Sequence, residues 1–313
     1  MTPAPIALFT YNRLAHTRRT VEALANNALA FQSDLHVFSD GPETPAHAGA
    51  VDAVRSYVAA VRGFRSVTHV PRPANLGLAQ SIVSGVSETY QTHGWVIVME
   101  DDLVTSSHCL RYLNETLTLY ADEPDVISIH AYVYPIPAVL PETFFIRGAD
   151  CWGWATWARG WALFQADGSR LLAELEARQL TREFDFNGTY GYTSMLRDQI
   201  AGRNNSWAIR WYASAFLNHK FTLYPGRSLV RNIGFDESGT HGTTTDFFDV
   251  ALADTPVRLE KLAVREDEFA RRQFERYFAH PRPPRWQQLW KRLTRGRGRR
   301  RPVRPPNTAP FHE

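Results

Sequence analysis

The first 130 residues alternate short apolar runs with segments of helical periodicity, and this alternation restricts the fold more than any other feature. The apolar runs occupy residues 6–10, 35–39, 66–70, 95–99 and 126–129. Between them, apolar residues recur every three or four positions, which is the spacing of an amphipathic helix. Alternating strands and helices indicate a parallel sheet covered by helices on both faces. The sequence therefore predicts an α/β fold that binds its ligand beyond the carboxyl ends of the strands.

Three carboxylates, Glu100, Asp101 and Asp102, follow directly on the fourth apolar run. Adjacent carboxylates at ~4 Å repel by about 4 kcal/mol at a surface-like dielectric, so the chain either disperses them in water or uses them to hold a cation. Oxygen ligands suit Mg²⁺ or Mn²⁺, often shared with the phosphates of a ligand. The alternative is an acidic loop that caps the next helix, but Ser106 or Ser107 supplies that cap. The sequence favours the metal.

Polar residues also follow the first two apolar runs, at Thr10, Asn12 and Arg13 and then at Asp40. No G-x-G-x-x-G follows the first run, and no G-x-x-x-x-G-K-[ST] occurs anywhere in the sequence. These absences disfavour a dinucleotide-binding dehydrogenase and a P-loop NTPase. A nucleotide held by a metal ion, an arginine and an aspartate remains open.

The order of these motifs resembles a known family. FTYNR, a strand that ends in SDG, NLGLAQS and VIVMEDDL follow one another as in the nucleotide-binding half of metal-dependent GT-A glycosyltransferases. The EDD triplet, a later Gly-Trp segment and a Ser-Gly-Thr-His-Gly loop before FFD are similar to the N-acetylglucosaminyltransferase I family and its bacterial relatives. The resemblance covers roughly residues 5–250. It implies a GT-A (Rossmann-like) fold with a mostly parallel sheet flanked by helices.

The resemblance also implies a domain plan. Residues 1–255 would form the catalytic domain, with a nucleotide-sugar-binding half at 1–135 and a less regular acceptor half at 136–255. We expect a C-terminal helical extension at 256–285 and a basic amphipathic or disordered tail at 286–313.

Roles at the donor follow from the resemblance, position by position. Asp102 would ligate Mn²⁺ or Mg²⁺ directly, with the diphosphate completing the shell, and Glu100 and Asp101 would contact sugar or ribose hydroxyls. Arg13 would face the nucleotide, and Asp40 would hydrogen-bond the uracil. The remaining residues expected at the donor are Thr10, Asn12, Asn75 and His241, the last on a loop that orders over the bound donor. The alternatives are a surface charge for Arg13 and a turn residue for Asp40.

The chain departs from the family at the catalytic base, which the family carries as an aspartate in a Trp-acid-acid-Trp segment. The nearest match is residues 207–211 (WAIRW), which is one residue longer and has no carboxylate. Asp150, just before Cys151, is the first substitute, followed by Asp236 and Asp198.

Tryptophans are dense in the second half, where Trp152, Trp154, Trp157 and Trp161 recur at spacings of two, three and four. We expect most of these indoles to pack into the core from a helix. Gly153 indicates a turn where the backbone approaches a ligand. Because sugar rings present apolar faces that stack on indoles, one of the four is a candidate stacking surface for a sugar in the acceptor site.

The charge of the chain is unevenly distributed. Residues 281–313 carry ten Lys or Arg and one acidic residue, although the whole chain has a formal net charge of only +3. The body is therefore acidic and would repel nucleic acid, so no nucleic-acid partner is expected. Trp286, Trp290 and Leu293 recur at helical spacing in the basic tail, which is typical of a segment lying on an anionic membrane surface. A solvated, disordered end is the alternative.

Localisation signals are sparse. The first residues lack the basic and long apolar regions of a signal peptide, and no window approaches the roughly eighteen apolar residues of a membrane span. Two cysteines without metal-type spacing indicate buried free thiols in a reducing compartment. We expect a cytoplasmic protein, peripheral on the inner face of the membrane if the tail binds lipid.

Together these features predict an enzyme of polysaccharide biosynthesis. It would transfer a sugar from a nucleotide-sugar donor, a UDP-sugar such as UDP-GlcNAc, to a hydroxyl of a glycan or lipid-linked acceptor, with inversion. One alternative is a non-catalytic GT-A-like protein that binds glycan or nucleotide, which the missing base carboxylate keeps open. Another is a metal-dependent nucleotidyltransferase, which would usually show a basic Gly-rich loop near the N-terminus, and FTYNRLAH is not one.

Overall fold

A mixed eight-stranded sheet forms the centre of the computed structural model, which describes residues 2–236 and 247–279. The strands of the described chain are β1 (Ile6–Thr10), β2 (Asp34–Ser39), β3 (Ser66–Pro71), β4 (Trp95–Glu100), β5 (Leu103–Thr105), β6 (Val126–His130), β7 (Thr143–Arg147), β8 (Trp154–Trp157), β9 (Phe221–Pro225) and β10 (Val230–Asn232). The helices are α1 (Leu14–Ala25), α2 (Ala48–Ala59), α3 (Leu78–His93), α4 (Cys109–Leu119), α5 (Ala158–Trp161), α6 (Gly168–Ala177), α7 (Thr181–Phe184), α8 (Tyr192–Ile200), α9 (Trp207–Leu217) and α10 (Glu268–Ala279).

The strand order is β3-β2-β1-β4-β8-β6-β9-β7, and β5 pairs separately with β10. Strands β3, β2, β1 and β4 are parallel to one another, and β6 and β9 run in the same direction. Only β8 and β7 run against the others in this sheet. The prediction of an α/β fold with a mostly parallel sheet flanked by helices is confirmed, as are the five strands expected in the first 130 residues.

The apolar runs become central strands because both faces of the sheet are covered. All five residues of β1 are buried. Ile6 and Leu8 belong to one core cluster, and Ala7 and Phe9 belong to the cluster on the other face. Successive side chains of a strand point to opposite faces, so a strand buried on both sides is apolar at most of its positions.

The tryptophan segment forms a strand, so the helix expected there is wrong. Trp154 to Trp157 is β8, which lies antiparallel between β4 and β6. Trp154, Trp157 and Trp161 are buried, which confirms the expected core role for most of the indoles. Gly153 has φ +70°, and a Cβ there would lie 2.7 Å from the Val230 side chain. The close approach at Gly153 is therefore made by the protein itself.

The start of α4 departs slightly from the expected cap. The helix begins at Cys109, with His108 at the capping position. Ser106 lies outside this position, but its hydroxyl accepts a hydrogen bond from the His108 amide at 3.3 Å and its carbonyl accepts one from the Cys109 amide at 3.1 Å. Ser106 therefore supports the helix start from one turn away.

The last described helix, α10, packs on the rest of the described chain through buried Phe274 and Phe278. Phe278 contacts the rings of Tyr134 and Phe186, with centroid distances of 4.9 and 5.2 Å. Residues 280–313, which include the predicted basic tail, lie outside the described residues. Across residues 2–236 and 247–279, no helix combines the length and the apolar character needed to cross a membrane.

Gly148, which follows β7, provides a test of the packing. It has φ +106°, and a Cβ there would lie 2.3 Å from the Tyr212 ring, which is buried. We expect Gly148→Ala to lower the free energy of unfolding by about 2–4 kcal/mol, because overpacking adds to the cost of a left-handed backbone. Urea denaturation measures this change.

Gly188 is the matched control for Gly148. Its φ is +83°, but a Cβ there would meet nothing within 4 Å. Gly188→Ala should therefore cost only about 1 kcal/mol, from the backbone alone. Equal losses for the two variants would contradict the packing explanation.

Candidate functional site

The polar strand ends meet at one edge of the sheet. In the parallel register, Thr10 pairs with Ser39 and Phe9 pairs with Glu100. The residues that follow β1, β2 and β4 are therefore neighbours, because parallel strands end on the same side. This edge gathers the predicted donor residues of the first 102 positions.

Arg13 binds two members of the acidic triplet. Its Nη2 lies 2.5 Å from Asp101 Oδ1 and 2.8 Å from Asp102 Oδ2. The Arg13 side chain is only 21% exposed, and that of Asp101 is 7% exposed. Thr20 on α1 donates to the Asp101 carbonyl at 2.8 Å, which fixes the backbone of the triplet. Arg13 is therefore part of an acid cluster, which we define as Arg13, Glu100, Asp101 and Asp102, and not an isolated surface charge.

Burial and mutual repulsion perturb the pKa values of the acid cluster. Burial raises the pKa of Asp101 to about 6, although the Arg13 charge opposes this rise. Burial, followed by the negative charges of Asp102 and Asp101, raises the pKa of Glu100 well above its ordinary value. Burial would lower the pKa of Arg13, but its two carboxylate partners outweigh this effect and raise it. The cluster therefore carries excess negative charge that a further cation would relieve.

Asp40 holds the turn that leads into α3. Its Oδ1 accepts hydrogen bonds from the amides of Gly41 at 2.9 Å and Leu76 at 2.8 Å, and its Oδ2 accepts one from Gly77 at 3.0 Å. Asn75 donates to the Gly41 carbonyl at 2.8 Å. The Asp40 amide in turn donates to the Thr10 carbonyl at 3.0 Å. The structure brings Thr10, Asp40 and Asn75 together. In it Asp40 acts as a turn residue, which was the alternative interpretation from the sequence.

Asp102 lies against the segment that follows β10. The Ile233 amide donates to the Asp102 carbonyl at 2.8 Å. A Cβ on Gly234 would lie 2.1 Å from Asp102 Oδ2, so any larger residue at this position would displace the Asp102 carboxylate. Asn232 Oδ1 accepts from the Gly234 amide at 2.8 Å and orients it. No local pattern pointed to this contact, although Gly234 lies only two positions before the candidate base Asp236.

Asp236, one of the candidate bases, ends the described part of this loop. Its Oδ2 lies 3.0 Å from Nε2 of His16 on α1. The charge of His16 also lowers the pKa of Asp101, so Asp236 lies on the same side of the sheet as the acid cluster. His16 was missed, although it lies three positions after Arg13. His241 lies outside the described residues.

Asp150, the first candidate base, accepts three hydrogen bonds from neighbouring residues. Its Oδ1 accepts the Cys151 amide at 2.8 Å, and its Oδ2 accepts the hydroxyls of Tyr134 at 3.2 Å and Tyr224 at 3.3 Å. Burial raises the pKa of the Cys151 thiol, and the negative charges of Asp150, Glu100 and Asp102 raise it further. Cys151 therefore lies within the electrostatic field of both Asp150 and the acid cluster. No local pattern pointed to the two tyrosines.

Trp152 is only half-buried, unlike the three tryptophans that follow it. Its indole contacts the rings of Tyr132, Phe235 and Phe248 edge-on, with centroid distances of 4.8, 5.4 and 5.2 Å. The backbone amide of Trp152 itself donates to Nε2 of His130 at 3.0 Å. Of the four candidate indoles, Trp152 is thus the one that retains exposed surface beside Asp150.

The third candidate base, Asp198, lies apart from these groups. It is on α8 and forms an exposed ion pair with Arg203. None of its contacts within the described chain reaches the acid cluster or Asp150. Residues 207–211 open α9, where Trp207 and Trp211 are buried against Trp154 at centroid distances of 5.6 and 5.7 Å. The segment that matches the family's base is therefore a core helix in this chain.

The described residues fit a metal ion only if a bound substrate supplies most of the coordination shell of the ion. Within residues 2–236 and 247–279, no three His, Cys, Asp or Glu side chains converge where a metal ion would be held. Asp102 offers one carboxylate, and the buried Asp101 Oδ2 accepts no hydrogen bond from these residues. One or two protein carboxylates together with substrate phosphates are a common way to bind Mg²⁺.

Comparisons with known proteins give only distant similarities. No family model and no curated protein matches the chain. It is similar to a mannosyltransferase from Pyrobaculum calidifontis in complex with GDP-Man and Mn²⁺, with 14% identity and a TM-score of 0.33 over 43% of this chain and 36% of that one. It is similar to S. aureus TarS, with 11% identity and a TM-score of 0.31 over 46% and 24% of the two chains.

A third solved structure is described as a nucleotide-diphospho-sugar transferase from Desulfovibrio desulfuricans. It is 10% identical, with a TM-score of 0.33, and the match covers 53% of this chain and 69% of that one. The match thus spans well under half the length of the first two structures. Similarities this weak do not assign an activity to this chain.

Proposed function

We propose that this protein is a metal-dependent GT-A glycosyltransferase. It transfers a sugar from a nucleotide-sugar donor, a UDP-sugar such as UDP-GlcNAc, to a hydroxyl of a glycan or lipid-linked acceptor. The observation that carries the proposal is the acid cluster at the carboxyl edge of the sheet, with the anchored carboxylate of Asp150 nearby. The motif order that resembles GT-A enzymes supports the same assignment.

The donor half would bind the nucleotide sugar through the acid cluster. Asp102 would hold Mn²⁺ or Mg²⁺ together with the donor's diphosphate, and the bound ion would neutralise charge that develops on the leaving diphosphate. Arg13 would contribute a second positive charge facing the phosphates. Glu100 and Asp101 would accept hydrogen bonds from ribose or sugar hydroxyls. Thr10, Asn12, Asp40 and Asn75 would shape the nucleotide end of the site.

Asp150 would act as the general base at the acceptor. As the acceptor oxygen bonds to the anomeric carbon, the carbon–oxygen bond to the diphosphate breaks and the hydroxyl proton passes to the Asp150 carboxylate. Attack opposite the leaving group inverts the anomeric carbon. Tyr134 and Tyr224 hold the carboxylate in one orientation, and a positioned base of this kind contributes about 10²–10⁴-fold to the rate.

The role of Asp150 is tested by Asp150→Asn. We expect transfer to fall by about 10²–10⁴-fold while UDP binding is retained, because the amide cannot take the proton but keeps the shape. Asp198→Asn is the matched control, since it makes the same chemical change on an exposed, ion-paired carboxylate. Retained transfer in Asp150→Asn would exclude Asp150 as the base and direct the same test to Asp236.

The activity itself is tested with a panel of nucleotide sugars in the presence of Mn²⁺, scored for release of nucleoside diphosphate. Release with at least one donor, dependent on an acceptor, is the expected result. A protein that binds a nucleotide sugar or glycan and releases nothing with any acceptor would be the non-catalytic alternative. Release of pyrophosphate from a nucleoside triphosphate and a sugar phosphate would instead identify a nucleotidyltransferase.

A further inference from the structure

A groove with a volume of 440 Å³ lies outside the acid cluster, and none of its walls contains a residue assigned to the donor. Its walls are residues 133–135, 226–228 and 249–254. The first wall begins three residues after β6 and the second directly follows β9, and these two strands are adjacent and parallel. The groove therefore opens at the same edge of the sheet as the acid cluster, and its volume is within the range of small-ligand sites.

The three walls are tied together at Ser228. Its hydroxyl accepts the Val133 amide at 3.2 Å and donates to the Val230 carbonyl at 2.7 Å. Its carbonyl accepts the Ala253 amide at 2.8 Å. Ser228 is buried, so these bonds are protected from water. The groove is thus preformed by hydrogen bonds among its own walls, which lowers the cost of ordering it around a ligand.

The groove is linked to both parts of the proposed active site. After Ser228 the chain enters β10 and reaches Ile233, whose amide binds the Asp102 carbonyl. At ~3.3 Å per residue, these five steps span at most about 16 Å. On the other side, Tyr134 lines the groove and its hydroxyl donates to Asp150. Tyr134 thus joins the groove to Asp150, so an acceptor that reaches Asp150 continues along this wall into the groove.

The chemistry of the walls selects a neutral polar ligand. Asp254 and Ala251 are exposed on the groove, and the third wall also contributes Val250 and Leu252. Asp249 is held by Arg231 at 2.7 Å, so its charge is already compensated. Carboxylates accept hydrogen bonds from sugar hydroxyls, and apolar side chains pack on the faces of sugar rings. The exposed Asp254 carboxylate disfavours a polyanion such as nucleic acid, and Arg227, the cation of the second wall, is paired with Glu142 at 3.1 Å.

We propose that this groove is a distal acceptor subsite that holds the inner sugars of an oligosaccharide, while the terminal hydroxyl of that oligosaccharide reaches Asp150. The proposal rests on the proposed function and deepens it by naming the class of acceptor. The enzyme then extends an oligosaccharide in preference to a single sugar. Acceptors that contain only one sugar make no contacts in the groove.

The test uses the full chain and an array of mono- to tetrasaccharides, probed without donor. Ala251→Trp should fill the groove, because a large ring replaces an exposed methyl group on its wall. We expect the unaltered protein to retain tri- and tetrasaccharides at least tenfold better than monosaccharides, and Ala251→Trp to lose this preference. Ala59→Trp, on exposed α2 at the other end of the sheet, is the matched control and should behave like the unaltered protein.

Asp254→Ala is a second groove variant, which tests the proposal even if Ala251→Trp does not fold. Its side chain is exposed, and its carbonyl, which contacts His108, is unchanged. Severalfold weaker retention of the long glycans is expected. The proposal is overturned if the unaltered protein retains no glycan, if monosaccharides are retained equally well, or if both groove variants match Ala59→Trp.

Calorimetric titration of UDP with Mn²⁺ separates this proposal from the proposed function. Glycan retention that depends on Ala251, in a protein that does not bind UDP, would refute the transferase and keep the groove as a glycan site. UDP binding together with length-independent glycan retention would refute the groove and leave the transferase standing.

Discussion

Asp102→Asn is expected to abolish Mn²⁺-dependent binding of UDP while leaving the fold intact. The substitution removes one negative charge without changing the shape of the side chain, and Arg13 keeps its second partner, Asp101, at 2.5 Å. Loss of an outer residue that merely orients a metal ligand costs about 10–100-fold in metal affinity, so loss of the ligand itself should cost more than 100-fold. Calorimetric titration of UDP with and without Mn²⁺ measures the effect.

Asp34→Asn is a suitable control for this experiment. Asp34 is also paired with an arginine, Arg65, but it lies at the opposite end of its strand, at the start of β2. We expect its Mn²⁺-dependent UDP binding to match that of the unaltered protein. If Asp102→Asn shows unchanged metal dependence, the assignment of the metal to this carboxylate is wrong.

Arg13→Gln should have opposite effects on metal and nucleotide binding. In the structure the Arg13 guanidinium binds, and partly compensates, the two carboxylates to which a divalent ion would be attracted. Removing this charge leaves Asp102 open to a cation, so we expect Mn²⁺ alone to bind at least tenfold more tightly. The same change removes a positive charge that would face the diphosphate, so UDP should bind more weakly at saturating Mn²⁺. Electron paramagnetic resonance of Mn²⁺ and calorimetry of UDP measure the two effects.

The gain in Mn²⁺ affinity of Arg13→Gln should depend on pH. The Arg13 charge now lowers the pKa of Asp101, which burial has raised to about 6. Without Arg13 that pKa rises further, so Asp101 is protonated at a higher pH and the gain in Mn²⁺ affinity should be smallest in acid. Arg19→Gln, an exposed arginine on the same helix, should change none of these quantities. A fall in Mn²⁺ affinity in Arg13→Gln at neutral pH would show that Arg13 does not compete with the ion.

Much of the fold was accessible from local patterns. A strand buried on both faces is apolar over most of its length, and β1 and β4 show this over four and five consecutive positions, at residues 6–9 and 95–99. The prediction of a helix for the tryptophan segment was wrong because its local pattern is ambiguous. Spacings of two, three and four fit a strand and a helix equally well, and the choice depended on whether β4 and β6 left a gap between them. β8 fills that gap in the antiparallel direction.

The sequence by itself determined the parallel half of the sheet and the position of the acidic triplet, because strand period and strand ends are local properties. Only the tertiary structure decided which groups meet there. Tyr134 and Tyr224, which hold Asp150, lie 16 and 74 positions from it, and Arg13 lies 88 positions from Asp101. Hydrogen bonds over such separations depend on the order in which strands pair in the sheet, and that order is set by packing of both faces at once.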